Sequence, residues 1–211
     1  TKEGNFSVAE LRGTDLGGKT AGVIGTGRIG KHVIAMLKGI GMTVIAHDPY
    51  PDPVAAKNLG FSYVDIDTLL KNSDVVTLHC PASKDNTHVL TEERLLKMKR
   101  DAFLINTARG GLIDTKALGR GLGTGHQAGV RLDVLEEEQA IKEERELIST
   151  AFNQKYDLTT ILADHVLLQH PRVIITPHNA FNSHESVKRI LQTTIENIQA
   201  FTNGKPINLA K

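Results

Sequence analysis

A glycine-rich segment near the start of the chain is the first pattern that could do chemistry. Residues 25–30 read Gly-Thr-Gly-Arg-Ile-Gly, a GxGxxG pattern that follows an apolar run. The first glycine permits a tight turn, the second lets the backbone approach a pyrophosphate, and the third allows close helix–strand packing. The pattern alone is weak in a chain with 19 glycines, so its context decides. We assign this segment to dinucleotide binding through Gly25, Gly27, Arg28, Ile29 and Gly30.

An acidic residue closes the next apolar run. Asp48 lies 18 residues after Gly30, where a carboxylate can accept both hydrogen bonds of an adenosine ribose diol. It would repel a 2′-phosphate, and Pro49 and Tyr50 supply no compensating cation. The sequence therefore predicts NAD rather than NADP. The alternative, a packing turn beside a solvated Asp48, fits less well because a strand precedes the glycines and a helix follows them.

Alternating apolar runs and helix-like stretches must position these residues. Between Arg28 and Ile40, for example, apolar residues recur at helical spacing. We predict strands at 20–25, 42–46, 61–64, 74–79, 102–106, 129–133 and 172–176. We predict helices at 28–40, 51–59, 66–71, from 91 onward, 115–122, within 145–169 and 183–201. This alternation indicates an α/β fold with a doubly wound parallel sheet of the Rossmann type, covered by helices on both faces.

Composition excludes several classes of function. The 211 residues are 23% charged and 40% hydrophobic, enough for one good-sized core. The 25 Lys+Arg and 24 Asp+Glu give a net charge of +1, which offers no electrostatic footprint for nucleic acid. No apolar run approaches the ~18 residues that span a bilayer. Cys80 is the one cysteine and no histidine pair has a zinc-ligand companion, so we expect a cytoplasmic protein without a metal site.

Three further segments follow predicted strands, at the sheet edge where an open α/β fold places its ligand. They read Ile-Asn-Thr-Ala-Arg-Gly-Gly at 105–111, Leu-Asp-Val-Leu-Glu-Glu-Glu at 132–138 and Thr-Pro-His-Asn-Ala-Phe at 176–181. With the glycine loop, they resemble the D-isomer-specific 2-hydroxyacid dehydrogenases, and the resemblance runs through nearly all of the chain. Residues 3–7 and 178–181 are most similar to the D-lactate dehydrogenase branch.

The resemblance implies three catalytic side chains. Arg109 would bind the substrate carboxylate, since a guanidinium fork suits bidentate recognition. His178 would be the general acid/base, and Glu138 would hydrogen-bond that imidazole and raise its pKa. The family's acid falls five residues after the aspartate, so Asp133 points to Glu138, with Glu136 as the alternative.

The resemblance also implies further contacts to NAD. Asp133 would bind the nicotinamide carboxamide, and Thr107 and Ala108 would line the nicotinamide side. Cys80 and Pro81 would pass beside the cofactor, and Asn86 would reach it from the following loop. Hydride chemistry belongs to the cofactor, whereas the protein positions it.

The implied activity is interconversion of a D-2-hydroxy acid and its 2-keto acid, with D-lactate and pyruvate as the first choice. Glyoxylate or hydroxypyruvate reduction and phosphoglycerate oxidation in the same family are alternatives. A non-catalytic NAD(H)-sensing module like the family's corepressors is another. Family members commonly dimerise through the cofactor domain, so we expect a homodimer.

The resemblance divides the chain as well. Residues 1–180 would form the NAD-binding domain, with 1–15 as its lead-in, and 181–211 would return toward a substrate domain. That domain precedes the cofactor domain in the family and is absent from the 211 residues, so we expect the isolated chain to bind NAD but turn over poorly or not at all. Two departures stand out. Arg131 replaces a small residue and would either crowd the sheet or point outward, and 143–157 would be a surface insertion.

Overall fold

A parallel sheet forms the centre of the structure, a computed structural model that describes residues 13–83, 86–138 and 157–209. Its seven strands lie in the order β3-β2-β1-β4-β5-β6-β7, and every neighbouring pair is parallel. The strands are β1 Thr20–Ile24, β2 Thr43–His47, β3 Ser62–Tyr63, β4 Val75–Leu78, β5 Phe103–Asn106, β6 Gly129–Leu132 and β7 Val173–Ile175. The predicted α/β doubly wound fold is confirmed, with strand ends that differ by at most one residue.

Helices connect the strands. In the described ranges they are α1 Arg28–Gly39, α2 Pro53–Leu59, α3 Ile66–Asn72, α4 Glu92–Lys97, α5 Thr115–Gly123, α6 Leu158–Gln169 and α7 His184–Thr202. Helices α2 to α7 each begin with an aspartate, serine or threonine whose side chain accepts a backbone N–H of the first turn. Such caps satisfy donors that have no partner inside the helix, which fixes where each helix starts.

The strand order reverses beside β1, which pairs with β2 on one side and with β4 on the other. Helices α3, α4, α5 and α6 pack in sequence as one layer, and α1 packs with α2. The larger core cluster lies among the first set and includes Leu69, Leu104 and Val130, all fully buried. Because all strands run the same way, their carboxyl ends share one edge, where α/β sheets bind their ligands.

Part of one sheet face is exposed among the described residues. Phe103 and Ile174 are 37% and 52% exposed on the face opposite α3–α6. Helices α1 and α2 pack against β1 and β2, at the other end of the sheet. Arg131 lies on the same face, in register with Ile105 and Ile174. Its guanidinium donates to the carbonyl oxygens of Val130 and Arg172 at 2.9 and 3.3 Å, so it caps strand carbonyls without disturbing the register.

The chain divides into two compact units, Thr1–Ile175 and Thr176–Lys211. The division falls before Thr176, whereas the sequence placed it after Ala180. In the second unit α7 carries an exposed apolar stripe, and none of its residues is buried. Residues 1–12 of the predicted lead-in and 143–156 of the predicted insertion lie outside the described residues.

Within the described ranges, no helix combines the length and apolar character that crossing a membrane requires.

Candidate active site

The glycine loop joins β1 to α1 through tightly packed backbone. Gly25 has φ 94°, and a Cβ there would lie 2.5 Å from the backbone nitrogen of Cys80. A Cβ at Gly30 would collide with the carbonyl oxygen of Gly25. The space where a Cβ of Gly27 would project is open to beyond 4 Å. The loop therefore packs against the protein at its two ends and leaves room in the middle for a phosphate to approach the backbone.

The first turn of α1 is also suited to a phosphate. Its N-cap is Gly27, no side chain caps it, and its first turn contains no acidic residue. This distinguishes α1 from the other described α-helices, each of which has a side-chain cap. Uncapped N–H groups and the positive end of the helix dipole favour an anion. Arg28 and Ile29 are exposed on this turn, so the residues present fit the pyrophosphate of a dinucleotide.

Asp48 lies immediately after β2 and is anchored to the glycine loop. Its Oδ2 accepts from the backbone N–H and the hydroxyl of Thr26 at 2.7 and 2.9 Å, and its Oδ1 accepts from the N–H of Tyr50 at 2.9 Å. Partial burial raises the pKa of Asp48, but the hydrogen bonds from Thr26 and Tyr50 outweigh it and hold the pKa below the ordinary value. The carboxylate is therefore ionised at neutral pH.

Two residues that support Asp48 were not predicted from the sequence. The hydroxyl of Thr26 also lies 2.9 Å from the phenol oxygen of Tyr63, and that oxygen accepts the N–H of Asp52 at 3.1 Å. The carboxylate of Asp52 in turn pairs with Lys31 at 2.7 Å. Thr26 is a variable position of the glycine pattern and Tyr63 lies on another strand, so spacing carries no signal for this network.

A cleft of about 210 Å³ opens beside the glycine loop. It brings together three predicted cofactor residues, Gly25, Cys80 and Asn86, with His47 and His88. Whole-ligand sites enclose roughly 300–1,000 Å³, so the cleft fits one portion of a dinucleotide. Burial raises the pKa of the Cys80 thiol, which makes it a neutral wall of the cleft.

Asn86 shapes the loop that borders this cleft. Its side-chain nitrogen donates to the carbonyl oxygen of Pro81 at 2.6 Å, and its side-chain oxygen accepts from the N–H of Ser83 at 2.6 Å. Both ends of the amide are thus engaged within its own loop, while the residue still lines the cleft.

Asn106, at the end of β5, holds the loop that presents Arg109. This fully buried side chain accepts from the N–H of Ala108 at 3.0 Å and donates to the carbonyl oxygen of Arg109 at 2.8 Å. Thr107 and Arg109 are exposed, and the guanidinium donates to the carbonyl of Ala108 at 2.7 Å. The guanidinium therefore lies at the carboxyl edge of the sheet on a fixed turn. The sequence motif contained Asn106, but this role was not predicted.

The segment that carries Asp133 and Glu138 follows the next strand, β6. Asp133 is buried, and its N–H donates to the carbonyl oxygen of Asn106 at 2.9 Å. Gly110 lies so close to the segment that a Cβ there would collide with the carbonyl of Leu135. The Arg109 loop and the segment that carries the half-buried Glu138 are therefore in direct contact.

Contacts with His88, Thr115 and Asp164 hold the turn between Asp133 and Glu138. Glu136 Oε1 lies 2.5 Å from His88 Nε2, and its Oε2 accepts the N–H of Thr115 at 3.3 Å. The N–H of Glu137 donates to Asp164 Oδ2 at 3.3 Å, while Asp164 Oδ1 has no hydrogen-bond partner among the described residues. Burial, followed by repulsion from Glu136 and Glu137, raises the pKa of Asp164 to about 7.

Over the described residues, no three His, Cys, Asp or Glu side chains come together as a metal site.

His178 belongs to the second compact unit, Thr176–Lys211, which is described separately from the first. It has φ 52°, its N–H donates to the carbonyl of Thr176 at 2.9 Å, and its ring meets the ring of Phe181 edge-on at 6.4 Å. The Arg109 loop and the Glu138 segment are thus brought together in the first unit, while the catalytic trio as a whole stays a prediction.

Comparison with known proteins identifies the family. The model of the D-isomer specific 2-hydroxyacid dehydrogenase NAD-binding domain matches residues 1–180. D-lactate dehydrogenase of Escherichia coli is 39% identical over 208 residues, which cover 97% of this chain and 60% of that protein. Glyoxylate reductase of Korarchaeum cryptofilum is 37% identical over 213 residues, 58% of its length.

A crystal structure of D-lactate dehydrogenase from Aquifex aeolicus, complexed with NAD and lactic acid, superposes with a TM-score of 0.85 at 37% identity. The match covers 97% of this chain and 60% of that one. The chain thus spans about 60% of the length of these relatives. The matched domain is the NAD-binding domain, so the cofactor that fits the glycine loop is NAD. On these grounds the chain belongs to the D-isomer specific 2-hydroxyacid dehydrogenase family.

Proposed function

We propose that this chain is the cofactor-binding part of an NAD-dependent D-2-hydroxyacid dehydrogenase that interconverts D-lactate and pyruvate. The observation that carries the proposal is the placement of Arg109. Its side chain is exposed at the carboxyl edge of the sheet, on a turn fixed by Asn106, and the neighbouring Gly110 packs against the segment that bears Glu138. When bound, NAD supplies hydride transfer.

Arg109 binds the carboxylate of the substrate in this proposal. A guanidinium offers parallel N–H donors that match both carboxylate oxygens, which orients the adjacent C2 atom. The same cation polarises the C2 oxygen, where negative charge develops during reduction.

His178 gives a proton to the C2 oxygen during reduction and takes it back during oxidation. Glu138 hydrogen-bonds the imidazole and stabilises its protonated form. Glu136, the alternative acid, has both of its oxygens engaged, by His88 and by the N–H of Thr115. The family spacing of five residues from Asp133 supports Glu138 as the partner of His178.

D-Lactate is preferred over other 2-hydroxy acids on the sequence motifs, not on identity, since a D-lactate dehydrogenase and a glyoxylate reductase match almost equally well. No feature of the described residues favours the alternative of an NAD(H) sensor without catalysis. The homodimer and the cytoplasmic location remain proposals that rest on the family resemblance.

Assays of NADH oxidation test the proposal on the protein encoded by the whole reading frame that contains this chain. Pyruvate, glyoxylate and hydroxypyruvate are compared as substrates, and chiral chromatography identifies the lactate formed. We expect reduction of pyruvate with the highest kcat/KM and D-lactate as the product. NADH binding without turnover of any keto acid would support the sensor instead.

His178→Ala is the decisive variant in this assay. It should lower kcat by at least about a hundredfold, because the proton donor is lost. The NADH dissociation constant should stay within about threefold, since His178 has no proposed contact to the cofactor. An equal loss of both would show that the residue supports binding or folding rather than proton transfer.

A further inference from the structure

The loop between β4 and α4 contains a histidine in an uncommon backbone conformation. His88 has φ 52°, a region that residues other than glycine rarely occupy. Outliers of this kind persist only where the surroundings enforce them, and they concentrate at functional sites. His88 also lines the cleft beside the glycine loop.

Backbone contacts tie this loop to the one that presents Arg109. The N–H of His88 donates to the carbonyl of Gly111 at 2.8 Å, and the N–H of Leu90 donates to that of Leu112 at 3.0 Å. The N–H of Asp114 returns a bond to the carbonyl of Leu90 at 3.1 Å. The loop that borders the cofactor cleft and the loop that carries Arg109 therefore run side by side and are joined by backbone hydrogen bonds.

The side chain of His88 reaches the third loop. Its Nε2 lies 2.5 Å from Oε1 of Glu136, and the two side chains are 35% and 19% exposed. Glu136 is two residues before Glu138, and its second oxygen accepts the N–H of Thr115 in the first turn of α5. The close approach of Gly110 to Leu135 and Glu136 joins the second loop to the third. All three loops meet around one His–Glu pair.

We infer that His88 and Glu136 form a positioning pair that sets the cofactor cleft, the Arg109 loop and the Glu138 segment in register with one another. Neither residue acts on the substrate. The bond between them orients loops whose other residues bind and react, and the inference rests on the proposed function for the roles of Arg109 and Glu138.

Three single variants and one double variant of the 211-residue chain test the pair. His88→Asn keeps a residue type that tolerates positive φ but is too short to reach Glu136. Glu136→Gln keeps shape and removes charge. His88→Gln carries a side-chain N–H at about the reach of Nε2 and serves as the conservative variant. The double variant is His88→Asn/Glu136→Gln.

Fluorescence titration with NADH, well below the unfolding temperature, is the first measurement. We expect His88→Asn and Glu136→Gln each to weaken NADH binding about five- to tenfold, less than the full value of a charge-assisted hydrogen bond, because the pair acts on NADH only through the loops that it positions. The double variant should bind no worse than either single one, because the same bond is lost only once. His88→Gln should bind within about threefold of the unchanged chain.

Hydrogen exchange of backbone amides is the second measurement and needs no cofactor. Glu136→Gln should speed exchange at His88 and Leu90, which lie in a different loop and donate to Gly111 and Leu112. A role limited to folding would instead lower the unfolding temperature and leave the NADH dissociation constant unchanged.

Three outcomes would each overturn the inference. They are additive losses in the double variant, NADH binding that is unaffected in both single variants, and no NADH binding by the chain without substitutions. None of these readouts requires turnover. A positive result alongside failure to reduce pyruvate would therefore retain the positioning pair and reject the proposed substrate.

Discussion

Hydrogen bonds are the main reason that Asp48 stays ionised next to the glycine loop, with a smaller electrostatic contribution from His47. Burial opposes ionisation there, and the N–H groups of Thr26 and Tyr50 with the Thr26 hydroxyl overcome it. A fixed negative charge that accepts hydrogen bonds from a ribose diol repels a phosphate at the same place. We therefore propose that the preference for NAD over NADP depends on the Asp48 carboxylate and on the Thr26 and Tyr50 groups that orient it.

Asp48→Ala should weaken NADH binding roughly ten- to a hundredfold, because hydrogen bonds to a charged group are lost. Binding of NADPH should change less or improve, so the ratio of the two dissociation constants falls. Fluorescence titration with both cofactors measures this ratio. Asp65→Ala is the matched control, since Asp65 caps α3 and should cost about 1 kcal/mol of stability without changing NADH affinity. An unchanged ratio in Asp48→Ala would contradict the assignment.

The raised pKa of Asp164 predicts that the stability of the chain depends on pH. Its pKa is raised from 3.8 to about 7 in the folded chain, so between these values the unfolded chain has lost a proton that the folded chain retains. The folded state binds more protons, and the contribution of Asp164 to stability therefore falls as pH rises through this window. Above about pH 7 the loss is complete.

Asp164→Asn removes this titration. Relative to the unchanged chain, the variant should gain on the order of 2–4 kcal/mol of unfolding free energy between pH 4 and pH 8. Urea denaturation at pH 4, 5, 6, 7 and 8 gives the difference at each pH. A difference that does not vary with pH would show that Asp164 is ionised in the folded chain at acid pH.

At the scale of elements, the site depends on how closely two loops approach. Gly110 begins a 3₁₀ turn, Gly110–Leu112, at the point where the Arg109 loop meets the Glu138 segment. A Cβ at this position has no space, whereas a Cβ at the adjacent Gly111 would meet nothing within 4 Å. The chain therefore offers a matched pair of substitutions.

Gly110→Ala should destabilise the chain by about 1–3 kcal/mol, because the two loops must move apart to accept the methyl group. Gly111→Ala should stay within about 0.5 kcal/mol of the unchanged chain. Urea denaturation followed by circular dichroism measures both. Equal effects in the two variants would indicate that a general loss of backbone freedom, not the contact with Leu135, is responsible.

Periodicity was sufficient to predict the strands and most helices, since each apolar run lies in the sheet and the cap residues lie where their helices begin. Contacts between distant residues were not predictable. Tyr63 supports Asp48 from another strand, and His88 meets Glu136 across 48 positions of sequence. Neither contact follows from spacing, because it depends on which loops the strand order places side by side. Among the described residues Phe103 and Ile174 are partly exposed, and periodicity shows that a strand is apolar but not which element packs against it.

At the scale of the whole molecule, cofactor binding and catalytic turnover make different demands on the structure. The glycine loop, the uncapped first turn of α1 and Asp48 all lie in the first unit, so we expect that unit to bind NADH. Turnover demands more. The guanidinium of Arg109 is exposed, and a cation in contact with water binds a carboxylate weakly compared with one in a water-excluded site.

We therefore expect the 211-residue chain to bind NADH and to reduce pyruvate at least about a hundredfold more slowly than D-lactate dehydrogenase of Escherichia coli, of whose length it matches 60%. Titration and stopped-flow absorbance at 340 nm on the two proteins measure binding and turnover separately. His178→Ala in the 211-residue chain sets the background rate, and Asp48→Ala shows that the measured binding uses the glycine-loop site. Equal rates in the two proteins would mean that Arg109, Glu138 and His178 suffice for catalysis, and that the remaining length of the relatives contributes specificity rather than rate.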